Sequence, residues 1–263
     1  MYPIKGDKMP YFRGLNPFMK YIQFILIACL FAFGCSGQEK VSEKKFPEIS
    51  LVNKISFYNP KYDQSRFSCG FLIKYGSDTF AVTAKHLLKI IRTDKMKTVA
   101  FGNEIRSWSM YPLNKEAELI ITDKLLNDEQ SDFLDAKSTY DKDWLLFSIE
   151  ENHSQIKPLE IRKTALNSGE KLYAVGWTRT MTSGSQRVYE FEYYKTIGNR
   201  LLLKDVIVPE KFGGLSGAPV VDEQGLVVGI VSGRTTDPAT DKKYFSPCSL
   251  ESMVVLLEKL HTK

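Results

Sequence analysis

Short apolar segments alternate with turn-forming residues along most of the chain from Leu51 onward. Glycine, aspartate, asparagine and proline occupy the breaks between them, as in the Gly76-Ser77-Asp78 stretch. Regular spacing of this kind is typical of an all-β sandwich or barrel. The segments that we interpret as strands are Leu51–Tyr58, Cys69–Ile73, Thr79–Thr83, Leu145–Ile149, Leu172–Trp177, Val188–Tyr193, Leu201–Val208, Pro219–Val221 and Leu226–Val231.

The last segment, from Leu250 to His261, has a different periodicity. Its apolar residues recur at the three- and four-residue spacing of one helix face. They are Leu250, Met253, Val254, Leu257 and Leu260. The pattern therefore predicts an all-β fold with a single long helix at the C-terminal end.

The N-terminal part of the chain contains one apolar segment, Tyr21–Gly34, in which only Gln23 is strongly polar. Its fourteen residues are fewer than the roughly 20 that a membrane-spanning helix needs. A short apolar region preceded by Lys20 is typical of a signal peptide. We therefore expect export, with residues 1–35 as the signal, translated from Met1 or from Met19.

The junction Gly34-Cys35 resembles the lipobox of bacterial lipoproteins, in which the cysteine is lipidated and becomes the mature N-terminus. Ala32 and Phe33 depart from the usual box, so a plain secretory signal or an uncleaved anchor stays open. The resemblance implies a lipid anchor on a bacterial membrane, facing the periplasm or the cell surface. Residues 36–50 are polar and charged and are predicted to form a flexible tether.

Charge and cysteine content narrow the function classes. The net charge is +5, of which residues 1–34 carry +3, so the body is nearly neutral and gives no electrostatic case for nucleic-acid binding. The body contains two cysteines, Cys69 and Cys248. A disulfide would require their Cα atoms to lie within about 7 Å. We expect two buried thiols, with pairing as the open alternative.

Three segments carry residue types that suit acid–base and nucleophilic chemistry. Of the three histidines, His153 lies in a polar run and His261 near the C-terminus, whereas His86 directly follows an apolar strand. A histidine held rigidly at a strand end is the best candidate for a general base near neutral pH. Asp143, which precedes another strand, could accept a hydrogen bond from the imidazole, with Asp141 as an equally charged competitor.

The third segment is Gly213-Gly214-Leu215-Ser216-Gly217. Glycines on both sides of a serine permit a tight turn that directs backbone N–H groups toward one point. Such N–H groups are what an acyl-transfer site needs to stabilise an oxyanion. Taken alone, the segment is also compatible with an ordinary glycine-rich hairpin.

The motifs Thr-Ala-Lys-His, Asp-Trp-Leu-Leu and Gly-Leu-Ser-Gly-Ala-Pro, in this order, resemble the three signatures of the trypsin/chymotrypsin-like serine peptidases. The resemblance implies two packed six-stranded antiparallel β-barrels over residues 51–263, split near residues 155–165. It implies that His86 is the base, Asp143 its orienting partner and Ser216 the nucleophile. The backbone N–H groups of Gly214 and Ser216 would form the oxyanion hole.

The same resemblance suggests where a substrate would bind. Gly229-Ile230-Val231-Ser232-Gly233 resembles the strand that pairs with the substrate backbone, so Ser232 and Gly233 are candidate substrate-binding residues. Glu210 lies six residues before Ser216, the offset at which trypsin-like relatives place the acid of the primary pocket. A solvated loop glutamate is the alternative for Glu210.

Two departures point to particular branches of the family. Leu215 replaces the aspartate that pairs with a new N-terminus after zymogen cleavage, and Leu87 replaces the cysteine that would pair with Cys69. Both changes resemble the bacterial Deg-type and glutamyl-endopeptidase-like branches.

The sequence therefore predicts a serine endopeptidase that acts on proteins or peptides through an acyl-enzyme and needs no cofactor. An α/β-hydrolase has its triad in the chain order Ser, Asp, His. Here only His261 follows Ser216, near the C-terminus, so this alternative is excluded. A metal site is not expected, since the chain has no His-Glu-x-x-His motif. The remaining alternative is a catalytically inactive trypsin-like fold that serves as a membrane-anchored binding lipoprotein.

Overall fold

The computed structural model describes residues 41–136 and 140–262. The predicted signal, Cys35 and residues 36–40 of the predicted tether lie outside the described residues. Residues 41–50 pack against the second half of the chain, where Ser42 N–H donates to the Val188 carbonyl at 2.8 Å and Ser50 is buried. This part of the predicted tether is therefore hydrogen-bonded to the second half of the chain. The Gln186 side chain accepts hydrogen bonds from the Ile49 and Ser50 N–H groups. The polar composition of residues 36–50 gives no sign of this contact, because Gln186 is far away along the chain.

The first half of the described chain forms a closed barrel. Its sheet has the strand order β1-β4-β5-β6-β3-β2, and β2 pairs back with β1 to close it. Its strands are β1 (Leu51–Phe57), β2 (Gln64–Tyr75), β3 (Asp78–Thr83), β4 (Ile105–Tyr111), β5 (Ile120–Leu125) and β6 (Leu145–Asn152). A 3₁₀ turn (Pro60–Tyr62) joins β1 to β2, the short helix α1 (Leu87–Ile91) follows β3, and β7 (Leu159–Glu160) pairs parallel to β2.

The second half forms another closed barrel with the order β10-β13-β12-β11-β8-β9. Its strands are β8 (Lys171–Gly176), β9 (Arg187–Ile197), β10 (Arg200–Ile207), β11 (Pro219–Val221), β12 (Val227–Thr236) and β13 (Lys243–Ser249). Helix α2 (Glu251–His261) ends the described chain and buries Met253 and Leu257. The predicted pair of six-stranded antiparallel barrels with a C-terminal helix is confirmed.

Each barrel is filled by inward-facing apolar side chains, as alternation along strands requires. Phe71, Phe147 and Leu72 are fully or almost fully buried in the first barrel. In the second, the rings of Phe191 and Phe245 stack with centroids 4.3 Å apart.

The cysteine prediction is also confirmed, since Cys69 and Cys248 are both free and buried. Burial raises the pKa of Cys69 to about 12 and that of Cys248 to about 11, so both are thiols at neutral pH. In the part of the chain that the structure describes, no helix is both long and apolar enough to cross a membrane.

Candidate active site

Strand pairing brings His86 and Asp143 to the same edge of the first barrel. Thr83 at the end of β3 pairs with Leu145 at the start of β6. His86 follows the first of these strands by three residues, and Asp143 precedes the second by two. Because the strands are antiparallel, these flanking residues must lie close together. Ser216 comes from the turn before β11 in the second barrel.

The three side chains form a continuous hydrogen-bonded row. His86 Nδ1 lies 2.7 Å from Asp143 Oδ2, and His86 Nε2 lies 2.9 Å from Ser216 Oγ. The backbone N–H of His86 donates to the other carboxylate oxygen, Oδ1, at 2.7 Å. The carboxylate is thus held at both oxygens, which fixes the imidazole ring relative to the serine.

Asp143 is completely buried, and its carboxylate is stabilised by three donors. Burial by itself raises the pKa of this group. Hydrogen bonds from the His86 ring, the Ser232 hydroxyl and the His86 N–H, together with the charge on His86, outweigh burial and hold the pKa of Asp143 below its ordinary value. The group is therefore an anion at neutral pH and can accept the imidazole N–H.

The turn around Ser216 leaves two backbone donors open. The Gly213 carbonyl accepts from Arg179 N–H at 2.6 Å, and the Ser216 carbonyl accepts from Cys69 N–H at 2.9 Å. Among the described residues, the N–H groups of Gly214 and Ser216 have no acceptor. Unpaired backbone N–H groups near a serine hydroxyl are the kind of donor that stabilises an oxyanion.

Glycine is required at two positions of this turn. Gly214 has φ +98° and Gly217 has φ +83°, values that residues with a Cβ rarely adopt. A Cβ on Gly217 would also collide with the Cys69 carbonyl and the Thr83 hydroxyl.

We expect Gly217→Ala to lower the melting temperature and to slow labelling of Ser216 by an active-site probe, because the clash must displace the turn. The backbone strain alone is worth about 1–2 kcal/mol. Gly184→Ala is the matched control, since Gly184 has φ +95° and open space around its Cα. If the melting temperature falls by the same amount in both variants and both keep the wild-type labelling rate, close packing at Gly217 is not needed to position Ser216.

The other candidate site residues lie in different surroundings. Ser232 is buried and donates to Asp143 Oδ2, so its side chain serves the carboxylate. Gly233 pairs with Ser246 and has open space around its Cα. Glu210 is exposed in the segment between β10 and β11. Asp141 is exposed, and the carboxylate hydrogen-bonded to the His86 ring is that of Asp143.

The remaining histidines lie apart from this cluster. His153 is exposed beside Glu151, and His261 packs on the Tyr75 ring with centroids 5.1 Å apart. Within residues 41–136 and 140–262, no group of three His, Cys, Asp or Glu side chains is placed to hold a metal ion.

Sequence reasoning missed two residues that surround the site. The Tyr140 ring stacks on the His86 imidazole with centroids 6.0 Å apart. Arg200 is buried and donates to the Ser232 hydroxyl at 2.9 Å. The only signal for Arg200 was a charged residue at the start of an otherwise apolar strand, Arg200-Leu201-Leu202-Leu203.

Two closed β-barrels, with a histidine and an aspartate from the first and a serine from the second, define the trypsin-like fold. Comparison with family models agrees, since the model described as Trypsin matches residues 49–249. The chain belongs to the trypsin family, whose members are serine peptidases. No curated protein matches the sequence.

Solved structures show the same fold at low sequence identity. The chain is similar to the protein described as "Structure of GrC", with a TM-score of 0.56 and 19% identity over 86% of this chain and 99% of that one. It is also similar to the serine endoprotease from Yersinia pestis, with a TM-score of 0.50 and 13% identity. That match covers 81% of this chain and 62% of the endoprotease chain.

Proposed function

We propose that the protein is an exported, lipid-anchored serine endopeptidase that uses His86, Asp143 and Ser216 as its catalytic triad. The observation that carries the proposal is the hydrogen-bonded row of these side chains, with distances of 2.7 and 2.9 Å. An inactive binding fold has no need of a buried carboxylate, an imidazole and a serine hydroxyl aligned in this way. The two open N–H groups beside Ser216 give further support.

In the first half of the reaction, Ser216 Oγ attacks the carbonyl carbon of the scissile peptide bond. His86 Nε2 takes the proton from Oγ as the new C–O bond forms. Asp143 accepts the Nδ1–H bond, which keeps the imidazole in the correct tautomer and stabilises the imidazolium. The carbonyl oxygen becomes an oxyanion that the N–H groups of Gly214 and Ser216 stabilise.

The tetrahedral intermediate then collapses. The C–N bond breaks, His86 returns its proton to the leaving amine, and an acyl-enzyme remains on Ser216. Water enters, gives a proton to His86 and attacks the ester carbon. The C–O bond to Ser216 breaks, the serine regains its proton and the carboxylic acid product leaves. No cofactor is required in either half.

Substrate contacts are proposed for strand β12 at Ser232 and Gly233. Open space around the Gly233 Cα is compatible with the close approach of a peptide backbone. The exposure of Glu210 supports the interpretation of a solvated loop glutamate over that of a pocket acid. The proposal therefore includes protein and peptide substrates without a requirement for a basic side chain.

Anchoring is proposed to depend on Cys35, which lies outside the described residues. Because a single acyl chain binds a membrane only marginally, stable anchoring needs more than one chain, as bacterial lipoproteins carry.

We expect Cys35→Ala to move the protein from the membrane fraction to the soluble fraction or to leave an uncleaved precursor. Cys29→Ala is the control, because Cys29 lies inside the apolar segment of the signal and should leave anchoring unchanged. The measurement is cell fractionation with detection of the precursor and mature forms. Normal cleavage and an unchanged membrane fraction in Cys35→Ala would contradict the proposed anchor.

A fluorophosphonate probe tests the proposed activity directly, because it labels only an activated serine. The purified protein should react with the probe at Ser216 and should cleave members of a peptide library. Absence of both labelling and cleavage in a folded sample would overturn the proposal and favour an inactive, membrane-anchored binding protein.

A further inference from the structure

A buried arginine is linked to the proposed triad through one side chain, the Ser232 hydroxyl that donates to Asp143. Arg200 begins β10 in the second barrel, and only 8% of its surface is exposed. Burial lowers the pKa of Arg200, but a guanidinium remains protonated in proteins. A buried cation is costly unless its donors are hydrogen-bonded, so its partners are informative.

The guanidinium contacts three separate segments. Nη1 donates to the Ser232 hydroxyl on β12 at 2.9 Å and to the Tyr140 carbonyl at 3.0 Å. Nε donates to the Ser246 hydroxyl on β13 at 3.1 Å, and Nη2 donates to the Ser246 carbonyl. Tyr140 precedes Asp143 by three residues on the same loop of the first barrel. Arg200 therefore connects the second barrel to the loop that carries the triad carboxylate.

The contact with Ser232 also determines the direction of a hydrogen bond. A hydroxyl has one proton, and it rotates to suit its neighbours. Arginine can only donate, so the Ser232 oxygen must accept from Arg200 Nη1. The single Ser232 proton is then available for Asp143 Oδ2, to which Ser232 is hydrogen-bonded. The resulting chain runs from Arg200 through Ser232, Asp143 and His86 to Ser216.

We propose that Arg200 is a positioning residue for the triad: it orients the Ser232 hydroxyl toward Asp143 and holds the Tyr140–Asp143 loop against the second barrel. The proposal rests on the proposed peptidase function for its kinetic consequences. Arg200 touches none of the reacting atoms, so it acts through Ser232 and through the loop backbone.

Other charged and titratable groups surround the His86–Asp143 pair, and they bear on its pH dependence. They are Tyr140 and Asp141 on the same loop, Lys85 and Lys89 on either side of His86, Arg200 on β10 and Cys248 on β13. Lys85 is paired with Asp132 at 2.7 Å, and Lys89 lies over the Tyr140 ring. Arg200 is the cation whose hydrogen bonds lead directly to the triad carboxylate.

We expect Arg200→Met to lower kcat by about 10- to 100-fold with little change in KM, because small misplacement of a catalytic group costs on this order. The acidic limb of the kcat/KM profile should move to higher pH, since loss of a nearby cation makes protonation of the His86–Asp143 pair easier. Arg200→Lys keeps the charge without the planar fork. It should restore the position of the acidic limb but only part of kcat.

Arg162→Met is the matched control, because it also removes a largely buried guanidinium. Arg162 donates to Glu170 and Asp222 and shares no hydrogen-bond partner with the triad. It should lower the melting temperature without changing the pH profile. An Arg200→Met enzyme whose kcat and pH profile match those of Arg162→Met would overturn the positioning role.

A spectroscopic measurement separates this proposal from the proposed function. The Nδ1 proton shared by His86 and Asp143 should give a strongly downfield proton resonance that is absent in His86→Ala. The resonance should be shifted or lost in Arg200→Met and retained in Arg162→Met, whether or not the wild type cleaves peptides. An unchanged resonance in Arg200→Met would overturn the proposal, whereas an inactive wild type would overturn only the peptidase function.

Discussion

Ser216→Ala is expected to lower kcat for peptide cleavage by about 10⁶-fold and to abolish fluorophosphonate labelling. The substitution removes the atom that we propose attacks the peptide carbonyl and the proton that we propose His86 accepts. His86→Ala should cost about as much, because the members of such a triad act as one unit. Ser216→Ala should remain folded, since the only hydrogen-bond partner of the Ser216 hydroxyl among the described residues is His86.

The matched control for this prediction is Ser249→Ala. Ser249 is buried in the second barrel, and its hydroxyl has no hydrogen-bond partner among the described residues. Its removal should leave kcat unchanged and the melting temperature unchanged or slightly higher, because an unsatisfied buried hydroxyl is itself unfavourable. Residual cleavage above 1% of wild type in Ser216→Ala would assign the chemistry to another residue.

The sequence predicted best the strands that are mostly apolar or in which apolar and polar residues alternate regularly. Leu145–Ile149 and Leu172–Trp177 correspond closely to β6 and β8. Strands β4, β5 and β13 were missed because charged and polar residues interrupt them, as in Ile105-Arg106-Ser107-Trp108, and β7 was missed because it has only two residues. Their polar residues face outward or bond to neighbours, a distinction that requires the three-dimensional pairing.

The residues of the candidate site also fall into those that the sequence could predict and those that only the structure reveals. His86, Asp143 and Ser216 could be selected because each lies in a motif whose order resembles that of a family, and the structure brings them within hydrogen-bonding distance. The roles of Ser232 and Arg200 toward Asp143 depend on contacts between residues 32 to 89 positions apart along the chain. Nothing in local spacing indicates that these side chains meet. Strand β13 lies between β10 and β12, which places Arg200 near Ser232, and Ser232 reaches Asp143 of the first barrel.

The strand order of the second barrel explains how a charged residue at the start of β10 is tolerated in a buried position. Arg200 pairs with Cys248 of β13 through the backbone, and its side chain reaches Ser246 on the same strand and Ser232 on the neighbouring one. Each of these serines supplies an oxygen to the guanidinium. Leu201, Val231 and Phe245 fill the interior of the second barrel. Because side chains alternate along a strand, the polar side chains beside them lie on the opposite face, where they support the carboxylate of the first barrel.

Asp143→Asn is expected to lower kcat by about 10⁴-fold, the cost of the same change in a well-studied triad. All three groups that face the carboxylate donate: the His86 ring N–H, the His86 backbone N–H and the Ser232 hydroxyl. A carboxamide presents an NH₂ group to one of them, which forces the imidazole into the wrong tautomer or leaves a donor unsatisfied.

Asp141→Asn distinguishes this role from a general need for negative charge on the loop. Asp141 is exposed, and the carboxylate hydrogen-bonded to the His86 ring is that of Asp143, so the kcat of Asp141→Asn should stay within about twofold of wild type, as for a surface substitution. The comparison uses kcat on one peptide substrate, with melting temperatures to verify folding. A larger loss in Asp141→Asn than in Asp143→Asn would show that the wrong carboxylate has been assigned, because only one of the two can hold the imidazole in its reactive tautomer.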